Sequence, residues 1–264
     1  MRTFDPRRLR RTVLEMAYSG SSAHIACAFS IIEILAVLYR NHLRPGGGPR
    51  APERDYLVLS KGHGVMAQYA CLRELGWLTD DAVRRYFGDG TLLKGLSDAH
   101  VHGLEVSSGS LGHGLSVGVG LALAAQRLGT GQRVFALVGD GEANEGAVWE
   151  ALLFANHFRL SNLTVVIDAN GFQAMGQTRE VMDMGSFAAK LTAFGFEARE
   201  VDGHDEAALD RAFSELTAWP GDAPRAVVAR TVKGYGVSFM ADDNRWHYTR
   251  LTADAYRAAL AELA

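Results

Sequence analysis

Two polar residues follow apolar runs at points where glycine frees the backbone: Asp140 in Gly139-Asp140-Gly141, and Asn170 in Asp168-Ala169-Asn170-Gly171. A carboxylate and an amide oxygen are hard donors, suited to Mg2+ or Ca2+ rather than to zinc. Mg2+ takes one or two protein carboxylates and completes its octahedron with water and phosphate oxygens. The stretch VFALVGDGEANEG, Val134 to Gly146, carries Asp140, Glu142 and Glu145 and no lysine of its own. Such a turn repels a bare phosphate, so its acid points to a cation that in turn holds a diphosphate. The glycines allow close backbone approach, and a helix starting near Glu145 adds amide donors and the positive end of its dipole. Gly-Asp-Gly alone reads equally as a tight strand-to-helix turn with a capping aspartate. The second polar strand end, at Asn170, favours the metal.

Asp140 and Asn170 share a crevice only if the runs before them are neighbouring strands. Short apolar runs predict strands over Asp55–Ser60, Val134–Val138, Leu163–Asp168 and Ala226–Thr231, and a further strand is expected over Glu197–Val201. Helical patterns cover Ala26–Tyr39, His63–Leu75, Gly109–Leu128, Glu145–Phe158, Ser186–Phe194 and Glu206–Thr217, after an opening amphipathic helix near the N-terminus. The Pro/Gly-rich Arg44–Pro52 reads as a loop closing a helical N-terminal section, about 7–42. Strands apolar on both sides and separated by helices imply a doubly wound α/β fold, a mostly parallel sheet with helices on both faces, as one domain over 1–264. Ligands of such sheets bind at the carboxyl ends of the strands. Chemistry is therefore expected just after Ser60, Val138, Ile167 and Thr231. His63, in Lys61-Gly62-His63-Gly64, stands at the first of these with glycines on both sides.

Bulk properties narrow the partners. Apolar residues make up 48% and charged residues 22% of 264, with a net charge of −3, which suits a soluble globular chain and gives no sign of a nucleic-acid or membrane partner. Cys27 and Cys71 are the only cysteines, too few for a disulfide framework, so a reducing, cytoplasmic setting is expected. No apolar run approaches the roughly 18 residues of a membrane span.

Gly139-Asp140-Gly141 with Asn170 resembles the thiamine diphosphate signature, and its context is similar to the diphosphate-binding half of transketolase. The stretches LSKGHG (Leu59 to Gly64), EVSSGSLGHGLSVGVG (Glu105 to Gly120), DGHD (Asp202 to Asp205) and ARTVKGYGVSFM (Ala229 to Met240) fit the same family in the same order. The resemblance implies that Asp140, Asn170 and the main-chain oxygen of Phe172 ligate Mg2+ (or Ca2+), with Gly139 and Gly141 approaching the diphosphate of thiamine diphosphate. It implies that Gly109, Ser110 and Leu111, ahead of Gly112, pack against the aminopyrimidine, and that His63 lies near diphosphate and substrate. His24 matches a histidine that contacts the substrate's reacting oxygen, although Ala23 and Ile25 replace the family's glycine and proline. Glu145 matches a glutamate that links two active sites of a dimer; a plain first-turn helix acid is its other reading. His247, in Trp246-His247-Tyr248, is a further site candidate, and His113 stands where glutamine is common.

One departure is informative. The family carries Gly-His-Pro before the Gly-x-Leu-Gly turn, and its histidine approaches the substrate; this chain has Gly95-Leu96-Ser97-Asp98, with histidines shifted to His100 and His102. Those two read as a displaced substrate histidine, a solvated loop or, least of all for want of a third ligand, a metal pair. The resemblance also implies something outside the chain. In this superfamily a glutamate on a second, pyrimidine-binding domain drives deprotonation of the cofactor, and the chain ends at Ala264 soon after its last predicted strand. The expectation is the diphosphate-binding subunit of a split transketolase, acting on sugars or sugar phosphates with a second chain, as an α2β2 heterotetramer. The rivals are the α subunit of the first component of a 2-oxoacid dehydrogenase and a non-catalytic cofactor-binding subunit. A nicotinamide-binding Rossmann domain is disfavoured, because no G-x-G-x-x-G follows an early strand.

Overall fold

A computed structural model describes residues 3–264. Five parallel strands form the central sheet: β1 (Tyr56–Leu59), β2 (Val134–Gly139), β3 (Leu163–Ala169), β4 (Glu197–Asp202) and β5 (Arg225–Arg230), in the order β1-β2-β3-β5-β4. Strand alternation divides the core in two. Leu57, Phe135, Leu137, Val166 and Val227 face one layer, and Val58, Val134, Ala136, Val165 and Val228 the other. The first layer is covered by α1 (Pro6–Ser19), α2 (Ile25–Phe29), α3 (Ile32–Val37), α4 (Val65–Glu74) and α8 (Glu206–Ala218), the second by α5 (His113–Leu128), α6 (Gly146–His157) and α7 (Phe187–Ala193). Burial on both faces is why β1, β2, β3 and β5 read as continuous apolar runs; β4, at the sheet edge, is only partly buried and carries Glu197, Arg199 and Glu200.

The register sets the site. Gly139 pairs with Asp168, and Asp168 with Ala229. The chain segments leaving β1, β2, β3 and β5 therefore emerge side by side along one rim, as Asp140 and Asn170 require.

Two predicted helices are interrupted, and each break serves the rim. The expected helix Ala26–Tyr39 is two helices, α2 and α3, followed by a wider π-type turn, Leu38–His42. The break falls at Ser30, whose hydroxyl bonds Cys27 O at 3.1 Å and Asp168 Oδ2 at 2.9 Å. Uniformly apolar sequence gives no periodicity that would reveal such a break. The expected helix Gly109–Leu128 begins only at His113, because Gly109 (φ 149°) and Gly112 (φ 84°) hold a turn that L side chains rarely adopt. A Cβ on Gly112 would lie 2.7 Å from Glu145 Cβ. A last helix, α9 (Ala253–Glu262), is not among the predicted elements; it packs on α1 through stacked Tyr18 and Tyr256. Among the described residues no helix is long and apolar enough to cross a membrane.

Candidate active site

The centre of the rim is a buried charge network. Asp168, fully buried, receives Lys61 Nζ (2.6 Å), Asn170 Nδ2 (2.8 Å) and Ser30 Oγ (2.9 Å) on Oδ2, and the Thr231 hydroxyl on Oδ1. Burial alone would raise its pKa, but Lys61 and these donors hold it below the ordinary carboxylate value. Lys61 is raised in turn: burial lowers it, and the groups around it, Asp168 foremost, together more than offset that. Local sequence places no lysine at the acidic turn; the fold brings Lys61 in from the end of β1 and Lys233 from the segment after β5.

Asp140 adjoins this network and spans two turns. Its Oδ1 accepts from Gly141 N (2.8 Å) and its Oδ2 from Gly171 N (2.6 Å). Asn170 Oδ1 accepts from Phe172 N at 3.0 Å. Burial first, and then the charge of Asp168, push the Asp140 carboxyl up to about 7.

Glu142, the second acid of the turn, acts as a staple, a role that spacing along the chain does not reveal. It is buried, and its Oε1 accepts from Ser60 Oγ (2.5 Å) and Gly112 N (2.9 Å) while Oε2 accepts from Gly139 N (3.0 Å). One side chain thus ties the end of β1, the glycine turn before α5 and the end of β2 together. Burial raises its pKa.

Across the cleft stand three imidazoles. The ring centroids of His24 and His63, and of His24 and His247, are 5.2 Å apart; those of His63 and His247 are 5.8 Å apart. Burial and the lysines lower all three pKa values, His247 to about 3, so the cluster is neutral at physiological pH. Lys233 Nζ lies 2.7 Å from His247 Nδ1. An ammonium only donates, so Nδ1 accepts and Nε2 carries the His247 proton. His204, from Asp202-Gly203-His204-Asp205, anchors that lysine segment: its Nε2 accepts from Val232 N (2.8 Å) and its Nδ1 meets Glu33 (3.0 Å), which Arg10 clamps. His24, Cys27 and His247 have ligand atoms within 4.8 Å of one another. Lys233 already occupies His247 Nδ1, Lys61 is close by, and burial raises the Cys27 thiol. That environment opposes a divalent ion.

A cleft of about 520 Å3 joins these parts; His24, His63, Gly109, Leu111, Gly139, Asp140, Gly141, Glu145, Asn170, Phe172 and His247 all line it. Ser110 is exposed on the same turn. Glu145 is exposed at the N-cap position of α6 and makes no side-chain cap bond, so its carboxylate stands free at the positive end of the helix and at the cleft. The shifted histidines lie apart from the cleft. His100 turns to Asp98 (2.7 Å) and His102 to Arg50, so they form no pair for a metal. Leu96, not a histidine, faces the cleft from that loop.

A family model described as the transketolase thiamine diphosphate-binding domain matches residues 7–263. The chain is 35% identical over 255 residues to one subunit of the apulose-4-phosphate transketolase of Phocaeicola vulgatus, covering 96% of this chain and 90% of that protein. It is also 35% identical over 257 residues to a 6-deoxy-6-sulfo-D-fructose transketolase subunit from a Clostridium species, covering 97% of this chain and 93% of that protein. Transketolase from Leishmania mexicana superposes with a TM-score of 0.91 at 28% identity, over 98% of this chain but 40% of that one. The sheet, the glycine turns and the match over nearly the whole sequence agree: the chain belongs to the transketolase thiamine diphosphate-binding domain family.

Proposed function

We propose that this chain is the diphosphate- and Mg2+-binding subunit of a two-chain transketolase, moving a two-carbon ketol unit from a ketose (phosphate) donor to an aldose acceptor. The observation that carries the reading is the pairing of Asp140 and Asn170 on adjacent strand ends, across one cleft from three neutral histidines. We take residues 1–264 as a single diphosphate-binding domain, which the continuous five-stranded sheet supports.

The site's chemistry fits the group. Asp140 is a buried carboxylate pushed up to about 7, beside a second carboxylate, and a divalent ion there offsets both penalties. Asp140, Asn170 and the main-chain oxygen of Phe172 would hold the ion, with Ca2+ an alternative to Mg2+. Gly141 tolerates no side chain, since a Cβ there would meet Gln173 Cβ at 2.5 Å; the turn packs closely against Gln173 while Gly141 itself lines the cleft, where it would approach the diphosphate. Gly109, Ser110 and Leu111 would present main chain to the aminopyrimidine. When bound, thiamine diphosphate supplies the carbanion chemistry. The protein's part is orientation and proton handling. His24, His63 and His247 are uncharged, so each can donate an N–H to a carbonyl oxygen or accept a hydrogen bond from a hydroxyl; taking up the hydroxyl proton would make the ring an imidazolium, which burial and the nearby lysines disfavour. Lys233 fixes which nitrogen of His247 donates.

A second chain carrying the pyrimidine-binding domain and the activating glutamate completes the site, in an α2β2 assembly joined through Glu145. Relatives whose names mark them as one subunit of a transketolase support a second chain here. The test mixes the purified chain with the candidate partner, thiamine diphosphate and Mg2+, and follows ketol transfer from hydroxypyruvate to aldoses. Turnover is expected only in the mixture; turnover by this chain alone, or decarboxylation of 2-oxoacids without transfer, refutes the proposal.

A further inference from the structure

Asp202-Gly203-His204-Asp205 is one of the stretches shared with the family, yet His204 does not line the cleft. Its ring packs instead on the segment after β5, stacked on Tyr235 with centroids 3.6 Å apart and 8% of the side chain exposed. Glu33 and Arg10 complete the group; both are buried and neither lines the cleft. Arg10 grips Glu33 with both terminal nitrogens, at 2.6 and 2.7 Å. Burial alone would raise the Glu33 carboxyl, but the bonds from His204 and Arg10 hold it below its ordinary value.

What this group touches is the stretch Val232–Tyr235, on which Lys233 stands. Val232 N donates to His204 Nε2 at 2.8 Å, Gly234 N donates to Ala26 O at 3.1 Å, and Tyr235 O accepts from Arg10 Nε at 2.8 Å. The backbone is therefore held on both sides of Lys233. Arg10 also donates to Phe29 O at 3.3 Å, so the same cation ties in the end of α2, the helix that follows His24. The fit is close, since a Cβ on Gly236 would lie 2.7 Å from Arg10 Nε. From this held segment Lys233 Nζ donates to Asn244 Oδ1 and to His247 Nδ1, each at 2.7 Å.

Proton positions follow from these contacts. A backbone amide only donates, so His204 Nε2 is the bare nitrogen and Nδ1 carries the proton, given to Glu33 Oε2 at 3.0 Å. We propose that Arg10, Glu33 and His204 are positioning residues: Glu33 fixes the tautomer of His204, His204 holds Val232, and the segment so held keeps Lys233 on His247 Nδ1, leaving His247 a donor through Nε2 alone. Groups that meet a substrate keep a useful geometry only when their own supports are fixed. The use of that donor on a sugar rests on the transketolase reading; the relay itself is built from this chain's own residues.

NMR of the full chain with isotope-labelled histidine reads both rings, and amide exchange reads Val232. The native chain is expected to show Nδ1–H for His204, Nε2–H for His247 and a protected Val232 amide. His204→Phe keeps a ring for Tyr235 but removes the acceptor; Val232 exchange should quicken about tenfold, and the two ring nitrogens of His247 should move toward averaged shifts. His204→Gln returns an acceptor near the Nε2 position and should restore both signals. Glu33→Gln can turn its amide to His204 Nδ1, which moves the His204 proton to Nε2, against Val232 N–H; it should match the phenylalanine variant. In the assembled enzyme, with hydroxypyruvate and glycolaldehyde, kcat should fall about tenfold for His204→Phe and recover for His204→Gln. The thermal upshift given by thiamine diphosphate with Mg2+ should stay native in both, whereas a merely structural role would lower it together with kcat. A phenylalanine variant with native Val232 exchange and native His247 shifts, or a glutamine variant as altered as the phenylalanine, overturns the inference. A native assembly without ketol transfer refutes the transketolase reading instead, and the NMR result still decides the relay.

Discussion

Replacing Glu142 with alanine tests whether one buried acid positions the cofactor turns. The carboxylate accepts from Gly112 N (2.9 Å), Gly139 N (3.0 Å) and Ser60 Oγ (2.5 Å). Alanine leaves two buried amides without acceptors, at about 1–3 kcal/mol each. The variant also sheds a carboxylate that burial disfavours, which returns part of that cost. A net loss of about 3 kcal/mol follows, or about 6–12 °C in Tm for a chain of this size. Glu142→Gln keeps one oxygen for Ser60 and Gly112 but turns an amide toward Gly139 N–H, so its loss should be about half as large. Calorimetry or thermal fluorescence reads both variants, and the upshift given by thiamine diphosphate with Mg2+ should shrink with them, because the Gly112 and Gly139 turns lose their common anchor. A Tm change below about 2 °C for Glu142→Ala, or a glutamine variant as damaged as the alanine, would show that Glu142 does not act as the staple.

Lys61→Met strands Asp168 and should cost about 3–5 kcal/mol in urea unfolding; adding Asp168→Asn should recover much of it, and additive losses would contradict the ion pair. Asp140 is raised from 3.8 to about 7, so the folded chain binds a proton that the unfolded chain has released between those values. Stability from this group is complete below pH 3.8 and lost as pH rises through about 7. Asp140→Asn should flatten that decline in metal-free unfolding curves and abolish the Mg2+-dependent cofactor upshift; a variant that keeps the upshift removes Asp140 from the metal. His247, held down to about 3 by burial, Lys233 and His24, should show no imidazole titration by NMR across the physiological range, whereas Lys233→Met should raise its pKa. A native His247 that titrates near the ordinary imidazole value would refute the assigned environment.

Much of the fold was legible because the four strands buried on both faces leave apolar runs, and all five predicted strands, the charged edge strand β4 included, are present with ends within a residue or two. The helix breaks at Ser30 and before His113 were not, since one depends on a hydroxyl spent on a distant aspartate and the other on glycine dihedrals that spacing does not reveal. His100 and His102 show the converse: suggestive spacing in an extended loop, resolved by separate partners, Asp98 and Arg50.

The sequence by itself determined the doubly wound class and the likeness of its glycine turns to a diphosphate site, because glycine, acid and apolar runs are local signals. Only the tertiary structure decided how the charge is balanced. Lys61, Asp168, Ser30 and Thr231 come from distant segments and meet because four parallel strands end on one rim. What a buried acid does depends on which donors reach it through space: Asp140 accepts from two backbone amides, Glu142 ties three segments together, and Asp168 pairs with Lys61.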